Sequence, residues 1–450
     1  VNTQSNAAAE NLNVSEFVDT APVKFFHILI MFLCALILIM DGFDLTSMGM
    51  VVPTLSDQWA VEQSVFSSNL ISPLSAVLFG VVFGSIIAGN LADRLGRRPV
   101  VIVMLFFAAV SMWLTTTATQ PDQLVIYRFL TGIGAGGSIP IAIAMASEYA
   151  PEKHRPLMVM VMYSGAPLGT SLGGIIGPEL IINFGWKGMF YFGAVVQALI
   201  AVLILLLLPE SVKFMARLPG HAEKVLKVLR RVRSDRDVPE NANFSFNDPV
   251  ESKSSFASLF SNRRARLTLA LWGIFLSMQF VLFFVSLMMP AYLKADGWSS
   301  TDALRPLGFY NLGAFFGSIV LGLLASRVGP ARSLLISLPM SAALLVLLGL
   351  VVGQTPLFFG LAFCAGAITI GSGMGLAPLA AGIYPTQIRS TGIGTALGIG
   401  RAGSIIAPFI GSIGLSAAFS AQGFFFASAI APVVCFLGVG LLLMFQRGEP

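Results

Sequence analysis

The sequence predicts an all-α membrane protein of twelve transmembrane helices, arranged as two six-helix pseudo-symmetric bundles. Three observations predict it. The 450 residues are 56% hydrophobic and only 11% charged, against about 25% charged residues in a typical soluble domain. Twelve apolar runs reach the roughly 20 residues needed to cross a bilayer, and the single long polar insertion, 209–264, divides them six and six. A charged motif, Gly89-Asn90-Leu91-Ala92-Asp93-Arg94-Leu95-Gly96-Arg97-Arg98, returns in altered form as Gly322-Leu323-Leu324-Ala325-Ser326-Arg327-Val328-Gly329, 233 residues later.

The polar segment 1–24 precedes the first span, and its residues through Thr20 are expected to lack order. No cleavable leader is expected, because the run Ile28 to Met40 continues through Asp41-Gly42-Phe43-Asp44 into further apolar residues without a small-residue cleavage site. The first bundle, 25–208, holds spans at 25–53, 69–92, 98–118, 123–147, 156–181 and 187–208. The linker 209–264 contains Glu223 to Val232, whose apolar residues at 225, 228, 229 and 232 share one helical face. With its basic opposite face, this is either a helix lying on the inner leaflet or a plain linker helix. The second bundle, 265–446, holds spans at 266–293, 304–326, 331–352, 356–381, 390–416 and 420–445, and 447–450 form a short tail.

Orientation follows from the basic residues. Lys187, Lys294 and Arg305 fall on one side, Arg128 and Arg401 inside spans, and the other 22 of the 27 Lys and Arg residues on the side of the termini and linker. An excess of this size marks the cytoplasmic side, so a multi-pass protein of a bacterial inner membrane with both termini cytoplasmic is expected. The net charge of +5 therefore reflects topology and gives no reason to expect a nucleic-acid partner. Cys34, Cys364 and Cys435 lie in apolar runs without metal or disulfide spacing. No catalytic constellation, ATP-binding loop or metal-ligand cluster is present in the sequence, so an enzyme, a metal site and a cofactor are not expected.

The repeat extends beyond the first motif. Pro151-Glu152-Lys153-His154-Arg155 matches Pro385-Thr386-Gln387-Ile388-Arg389 at an offset of 234, Gly132 and Gly136-Gly137-Ser138 lie opposite Gly366 and Ile370-Gly371-Ser372, and Pro53 corresponds to Pro290. Many transporters are built from such duplicated membrane units.

On these motifs the chain resembles the major facilitator superfamily. The resemblance is carried by Gly89-x-x-x-Asp93-Arg94-x-Gly96-Arg97-Arg98 between spans 2 and 3, by Arg128-x-x-x-Gly132-x-Gly134-x-Gly136 in span 4, and by Pro151-Glu152-x-x-Arg155. Within it, Asp41-Gly42-Phe43-Asp44 is similar to the aromatic acid:proton symporter family. The resemblance implies proton-coupled import of a small aromatic carboxylate, hydroxybenzoate-like, by alternating access, with protons and the lipid bilayer as the other partners, the proton gradient as energy source, and a monomer. Other substrates remain open at this point: a non-aromatic organic acid, or a drug moved outward. So does a membrane sensor that transports nothing.

Charges inside the membrane carry the chemistry, since each costs about 2.5–3.5 kcal/mol at the bilayer centre on insertion scales. Asp41 and Asp44 are three residues apart and share a helical face; two acids so close in poorly solvated surroundings cannot both stay charged cheaply, so one can hold a proton. His27, His154 and His221 lie near span ends or in loops and do not compete for that role. Arg128 enters span 4 from the outside, roughly 9 Å down, at a depth comparable to Asp44, and is expected to pair with Asp44 or Asp41. The resemblance links this arginine to proton coupling; a purely structural pair is the alternative. Arg401 lies near the middle of span 11 with no acid on its own span, and its guanidinium fork suits a substrate carboxylate, or else an acid or carbonyl of the other half. Phe43, Gln279, Phe283, Tyr310 and Asn311 are further substrate candidates, with Trp272 and Phe309 behind them, because amide and phenol groups beside flat rings suit a hydroxylated aromatic ligand.

The surface motif reads as a gating element: Gly89, Asp93, Arg94, Gly96, Arg97 and Arg98, with Glu148 and Arg155. Asp93 is expected to accept from the free N–H groups at the start of span 11, and Arg97 to reach Glu148. The resemblance implies that such contacts latch the halves in the outward-open state, more weakly in the second copy, where Ser326 replaces the acid. The glycines and prolines of spans 4, 5 and 11 allow close approach and bending.

Overall fold

The computed structural model describes residues 11–216, 221–233, 243–245, 256–261, 264–353, 355–384 and 388–447. Twelve helices among them are long and apolar enough to cross a membrane. Spans 1 to 6 are Phe25–Trp59, Pro73–Leu95, Arg97–Thr115, Pro121–Tyr149, Arg155–Phe184 and Lys187–Leu207. Spans 7 to 12 are Ala265–Ala295, Asp302–Val328, Pro330–Leu350, Pro356–Ile383, Thr391–Ser416 and Ala421–Phe445.

Local chemistry explains several boundaries. Ser72 caps span 2 through the Ser75 amide, and Pro73 occupies the first turn, where its missing N–H is no loss. Spans 2 and 8 both end on a glycine in the left-handed half of backbone space, Gly96 at φ +99° and Gly329 at φ +92°. These are equivalent residues of the two motif copies, so the sequence repeat is also a repeat of helix termination. Span 5 breaks at Ser164 into Arg155–Tyr163 and Gly165–Phe184.

Packing repeats as well. Span 2 lies on span 4 and span 8 on span 10, span 1 on span 5 and span 7 on span 11, span 3 on span 6 and span 9 on span 12. At the first seam a Cβ added to Gly84 would sit 2.1 Å from the Ile133 carbonyl oxygen, and at the second a Cβ on Gly317 would sit 2.0 Å from that of Ala367. Only glycine permits such backbone contact, which replaces the hydrophobic driving force that is missing between helices in lipid.

The halves meet along spans 1 and 7, 5 and 8, and 2 and 11. Away from the termini they touch closely: Gly49 lies on Leu287, and Gly174 on Gly308. Toward the termini Met160 still touches Gly322, but Gly89 of span 2 and Gly394 and Gly398 of span 11 have no atom within 4 Å of an added Cβ, and Leu95 is exposed. The molecule is thus closely packed on the face opposite the termini, while on the face that carries them, here called the basic face, those glycines of spans 2 and 11 border open space.

On that face one expectation is corrected and one open alternative is decided. Residues 11–20 are ordered: Asn11–Asn13 pairs in parallel with Asn243–Ser245 of the linker, and Asn13 caps the helix Val14–Asp19, which buries Val14, Phe17 and Val18. One turn of apolar spacing within a polar stretch is too short to stand out by periodicity. The linker helix Ala222–Val232 turns Val225, Leu229 and Val232 inward, fully buried, against the short helix Val212–Ala216 and span 1. Its apolar stripe is consumed by protein, leaving Lys224, Lys227 and Arg231 exposed, so it does not lie on a leaflet by that stripe.

Candidate functional site

The middle of span 1 carries two carboxylates in unlike surroundings. Asp44 faces span 4, where Arg128 is fully buried. Arg128 Nη1 donates to Asp44 Oδ1 at 2.7 Å and Nη2 to the Asp44 carbonyl oxygen at 2.5 Å, and the guanidinium lies 5.5 Å from the centre of the Phe190 ring. Of the two partners Sequence reasoning allowed, the geometry selects Asp44. The pair is incompletely satisfied, since Arg128 Nε and Asp44 Oδ2 are buried without hydrogen bonds. Around it, Thr46 and Thr170 both donate to the Gly42 carbonyl at 2.8 Å, tying span 1 to span 5.

Asp41 is held differently. It is buried, and its Oδ1 makes no hydrogen bond. Its strongest charge neighbours are Arg401, on the opposite half, and Asp44. Arg401 is half-buried and forms no ion pair among the described residues. Gln279 of span 7 packs against Gly400, with its Cγ 3.1 Å from where a Cβ would be, and Phe283, one turn further on, is half-exposed. Spans 7 and 11 thus bring Gln279 beside Gly400, the chain neighbour of Arg401, and Arg401 is near enough to Asp41 for their charges to interact. Asp41 and Asp44 also line a crevice inside the first half with Thr131, Ser138 and Gln197, too narrow here to hold a water molecule. Arg128 and Asp44 are thus enclosed, and do not share one wet chamber with Arg401. Gln197 had no signal in the sequence, since one amide in an apolar span resembles any other tolerated polar residue.

Several candidates are placed elsewhere. Phe43 is buried in the first half, 5.6 Å from the Phe192 ring. Tyr310 is fully buried at the seam of spans 8 and 10, where Gly366 abuts its carbonyl; it occupies the position that Val77 holds against Gly132 in the first half. Its hydroxyl lies near Thr369 without a hydrogen bond of good geometry. Asn311 is buried and donates to Leu307 of its own helix at 3.1 Å. Phe309 is exposed and packs on Phe359, and Trp272 packs on Phe256 and Phe260. Consecutive residues such as 309–311 point about 100° apart on a helix, so they could not all have faced one pocket.

On the basic face Arg97 and Glu148 form an ion pair. The hub of this cluster is Glu210, which sequence reasoning missed. Its Oε1 accepts from the amides of Arg97 at 2.9 Å, Arg98 at 3.1 Å and Ser211 at 2.8 Å, so it caps the start of span 3 with a negative charge. Ser211 Oγ bonds Glu148 at 2.6 Å and the Tyr149 hydroxyl bonds the Glu210 carbonyl at 2.6 Å. Arg98 Nη2 donates to the Leu205 carbonyl at 2.5 Å. The available signal was an acid in Pro209-Glu210-Ser211, just past span 6. Arg155 pairs with Asp19 of the N-terminal helix and donates to the Ala150 carbonyl at 3.0 Å. Asp93 and Arg94 are exposed, and Asp93 has no hydrogen-bond or ion-pair partner among the described residues, so its expected bond to the start of span 11 is not made. Gly89 of span 2 and Gly394 of span 11 likewise border open space. In the second copy of the loop motif, Pro385, Thr386 and Gln387 lie outside the described residues.

The family model described as Major Facilitator Superfamily matches residues 34–383. Over 419 residues the chain is 30% identical to the 4-hydroxybenzoate transporter PcaK of Pseudomonas aeruginosa, covering 92% of this chain and 91% of that protein. It is 31% identical over 406 residues to a gallate transporter of Pseudomonas putida, covering 90% and 89%. Among solved structures it matches a bacterial homologue of the human lysosomal transporter Spinster, in an inward-facing and occupied conformation, with a TM-score of 0.66 at 15% identity, covering 94% of this chain and 98% of that one; at such identity the likeness is one of fold.

Proposed function

The chain belongs to the major facilitator superfamily, a multi-pass membrane protein of a transporter family, and on that premise we propose that it imports a small aromatic carboxylate of the hydroxybenzoate type together with protons, by alternating access. The names of the 4-hydroxybenzoate and gallate transporters support the cargo class. The Lys and Arg excess supports a bacterial inner membrane with the basic face in the cytoplasm. In that orientation the conformation described is inward-open.

The observation that carries the mechanism is that Arg401, without an ion pair among the described residues, lies near enough to Asp41 of the other half for their charges to interact, while one Asp41 carboxylate oxygen lacks a hydrogen bond. A lone guanidinium at the midplane is costly, so each state that moves must supply it a negative partner. In the empty carrier ionised Asp41 supplies that charge through space, without a direct ion pair. When Asp41 takes a proton from outside, Arg401 is released to the substrate carboxylate, which its fork can bind through two parallel hydrogen bonds. Gln279 beside it can bond a ring substituent. The halves then rock, and the anion and the proton leave on the cytoplasmic side. Asp44 is already claimed by Arg128 and fixes span 1 against span 4; its protonation would loosen that hold. Because the substrate carboxylate can replace that of Asp41 at Arg401 only once Asp41 holds the proton, neither crosses productively without the other.

A thermal-shift screen of purified protein tests this. 4-Hydroxybenzoate and gallate should stabilise the protein while aliphatic acids of similar size do not, and Arg401→Ala should weaken that binding by at least about tenfold, as loss of a charged hydrogen-bond pair requires. Equal stabilisation of Arg401→Ala would refute the assignment.

A further inference from the structure

On the opposite face two side chains of the second half, Lys294 and Ser300, reach across to span 1. Lys294, at the end of span 7, reaches across to span 1, where its ammonium donates to the Pro53 carbonyl, the Asp57 carboxylate and, at 3.0 Å, the Ser56 hydroxyl. The other Asp57 oxygen accepts from Ser300 Oγ at 2.8 Å. All three acceptors of Lys294 lie in the last turns of span 1, where the negative end of a helix favours a cation. The lysine side chain is 16% exposed and Asp57 59%, so the ammonium is largely covered while its seat stays open to water. Below it the backbones of spans 1 and 7 are in contact at Gly49 and Leu287.

We propose that Lys294 is the outer lock of the transport cycle: seated on Pro53, Ser56 and Asp57, it holds spans 1 and 7 together in this conformation and must leave that seat before the outer face can open. The lysine and its seat belong to different halves, so the bonds exist only while the outer ends meet. On the basic face the reverse holds, since Asp93 is unbonded while the outer tie is made. The two ties alternate, and removing one shifts the balance between the states that each favours. The inference rests on the alternating-access reading above and is indifferent to the identity of the cargo.

The test is outer-face labelling of a cysteine at Leu287, which is 1% exposed in the closed seam, in a protein lacking Cys34, Cys364 and Cys435. A membrane-impermeant maleimide added from outside should label Leu287→Cys slowly. Adding Lys294→Met should raise the rate about tenfold, Lys294→Glu at least as much, and Lys294→Glu joined to Asp57→Lys should return it toward the slow value. An unchanged rate in Lys294→Met, or a charge swap that stays fast, overturns the lock. If Lys294→Met does not fold, Asp57→Asn with Ser300→Ala supplies the same comparison, and an unchanged rate there overturns it equally. Labelling needs neither substrate nor a proton gradient: an unmoved rate with normal uptake refutes the lock alone, and a shifted rate without aromatic acid uptake refutes the cargo alone.

Discussion

Two aspartates one helical turn apart have different partners and should therefore respond differently to substitution. Asp44 is bound in a pair from which water is excluded, so removing one member leaves the other charged and buried. Arg128→Ala should therefore lower stability by about 3–5 kcal/mol, read by denaturation in detergent, whereas Arg128→Met joined to Asp44→Leu should recover much of that while transport stays lost. Asp41 has no such anchor. Asp41→Asn should leave the fold intact and abolish accumulation of substrate against its gradient while sparing exchange of labelled for unlabelled substrate. Retained accumulation in proteoliposomes would remove Asp41 from coupling. In wild-type protein, accumulation should rise as the external pH is lowered at fixed internal pH, and vanish with a protonophore. The sequence displayed these charges plainly, because an ionised group in an apolar span is rare enough to mark itself. It gave no comparable sign for the uncharged lining. Phe43 and Tyr310 are aromatic because seams must be filled, and nothing in a list of 36 phenylalanines separates a filler from a ligand.

Spans were legible as elements because twelve long apolar runs admit little ambiguity, and the nearly constant offset of the repeat pointed to two copies of one unit, whose spans do pack alike. The mirrored glycines give that a measurable form. Gly84→Val and Gly317→Val should each destabilise by about 1–3 kcal/mol or more through overpacking, with similar losses, since each would drive a side chain into a carbonyl of the neighbouring span. A thermal-shift comparison of the two variants checks it, and a large inequality would mean that the seams are not equivalent. Short elements escaped notice. The helix Val14–Asp19 and the capping role of Glu210 depend on partners far away in the chain, which local periodicity does not record. Glu210→Gln keeps the acceptor but loses the charge at the start of span 3 and should cost about 0.3–1 kcal/mol.

Across the whole molecule, duplication builds a symmetric scaffold and the charges break its symmetry. The buried pair belongs to spans 1 and 4, and their counterparts in spans 7 and 10 hold Met278 or Val281 and Ala362 instead. The arginine assigned to substrate lies on span 11 alone. One half therefore holds the acids and the other the arginine proposed to bind the cargo, so motion between the halves would change their spacing directly. Asp93, unbonded here, should matter only when the halves rock the other way. Asp93→Asn should leave the melting temperature of this conformation unchanged and slow net uptake several-fold, by counterflow and uptake assays on the same preparation.

The strand formed by Asn11–Asn13 finds its partner at Asn243–Ser245, more than two hundred residues later in the chain. At ribosomal speeds of about 5–20 residues per second, the leading segment waits on the order of ten to fifty seconds before that partner emerges. Six helices enter the bilayer in the interval. The closing of this small ribbon thus follows synthesis of the whole first bundle, whereas Asp19 can meet Arg155 as soon as span 5 has left the ribosome.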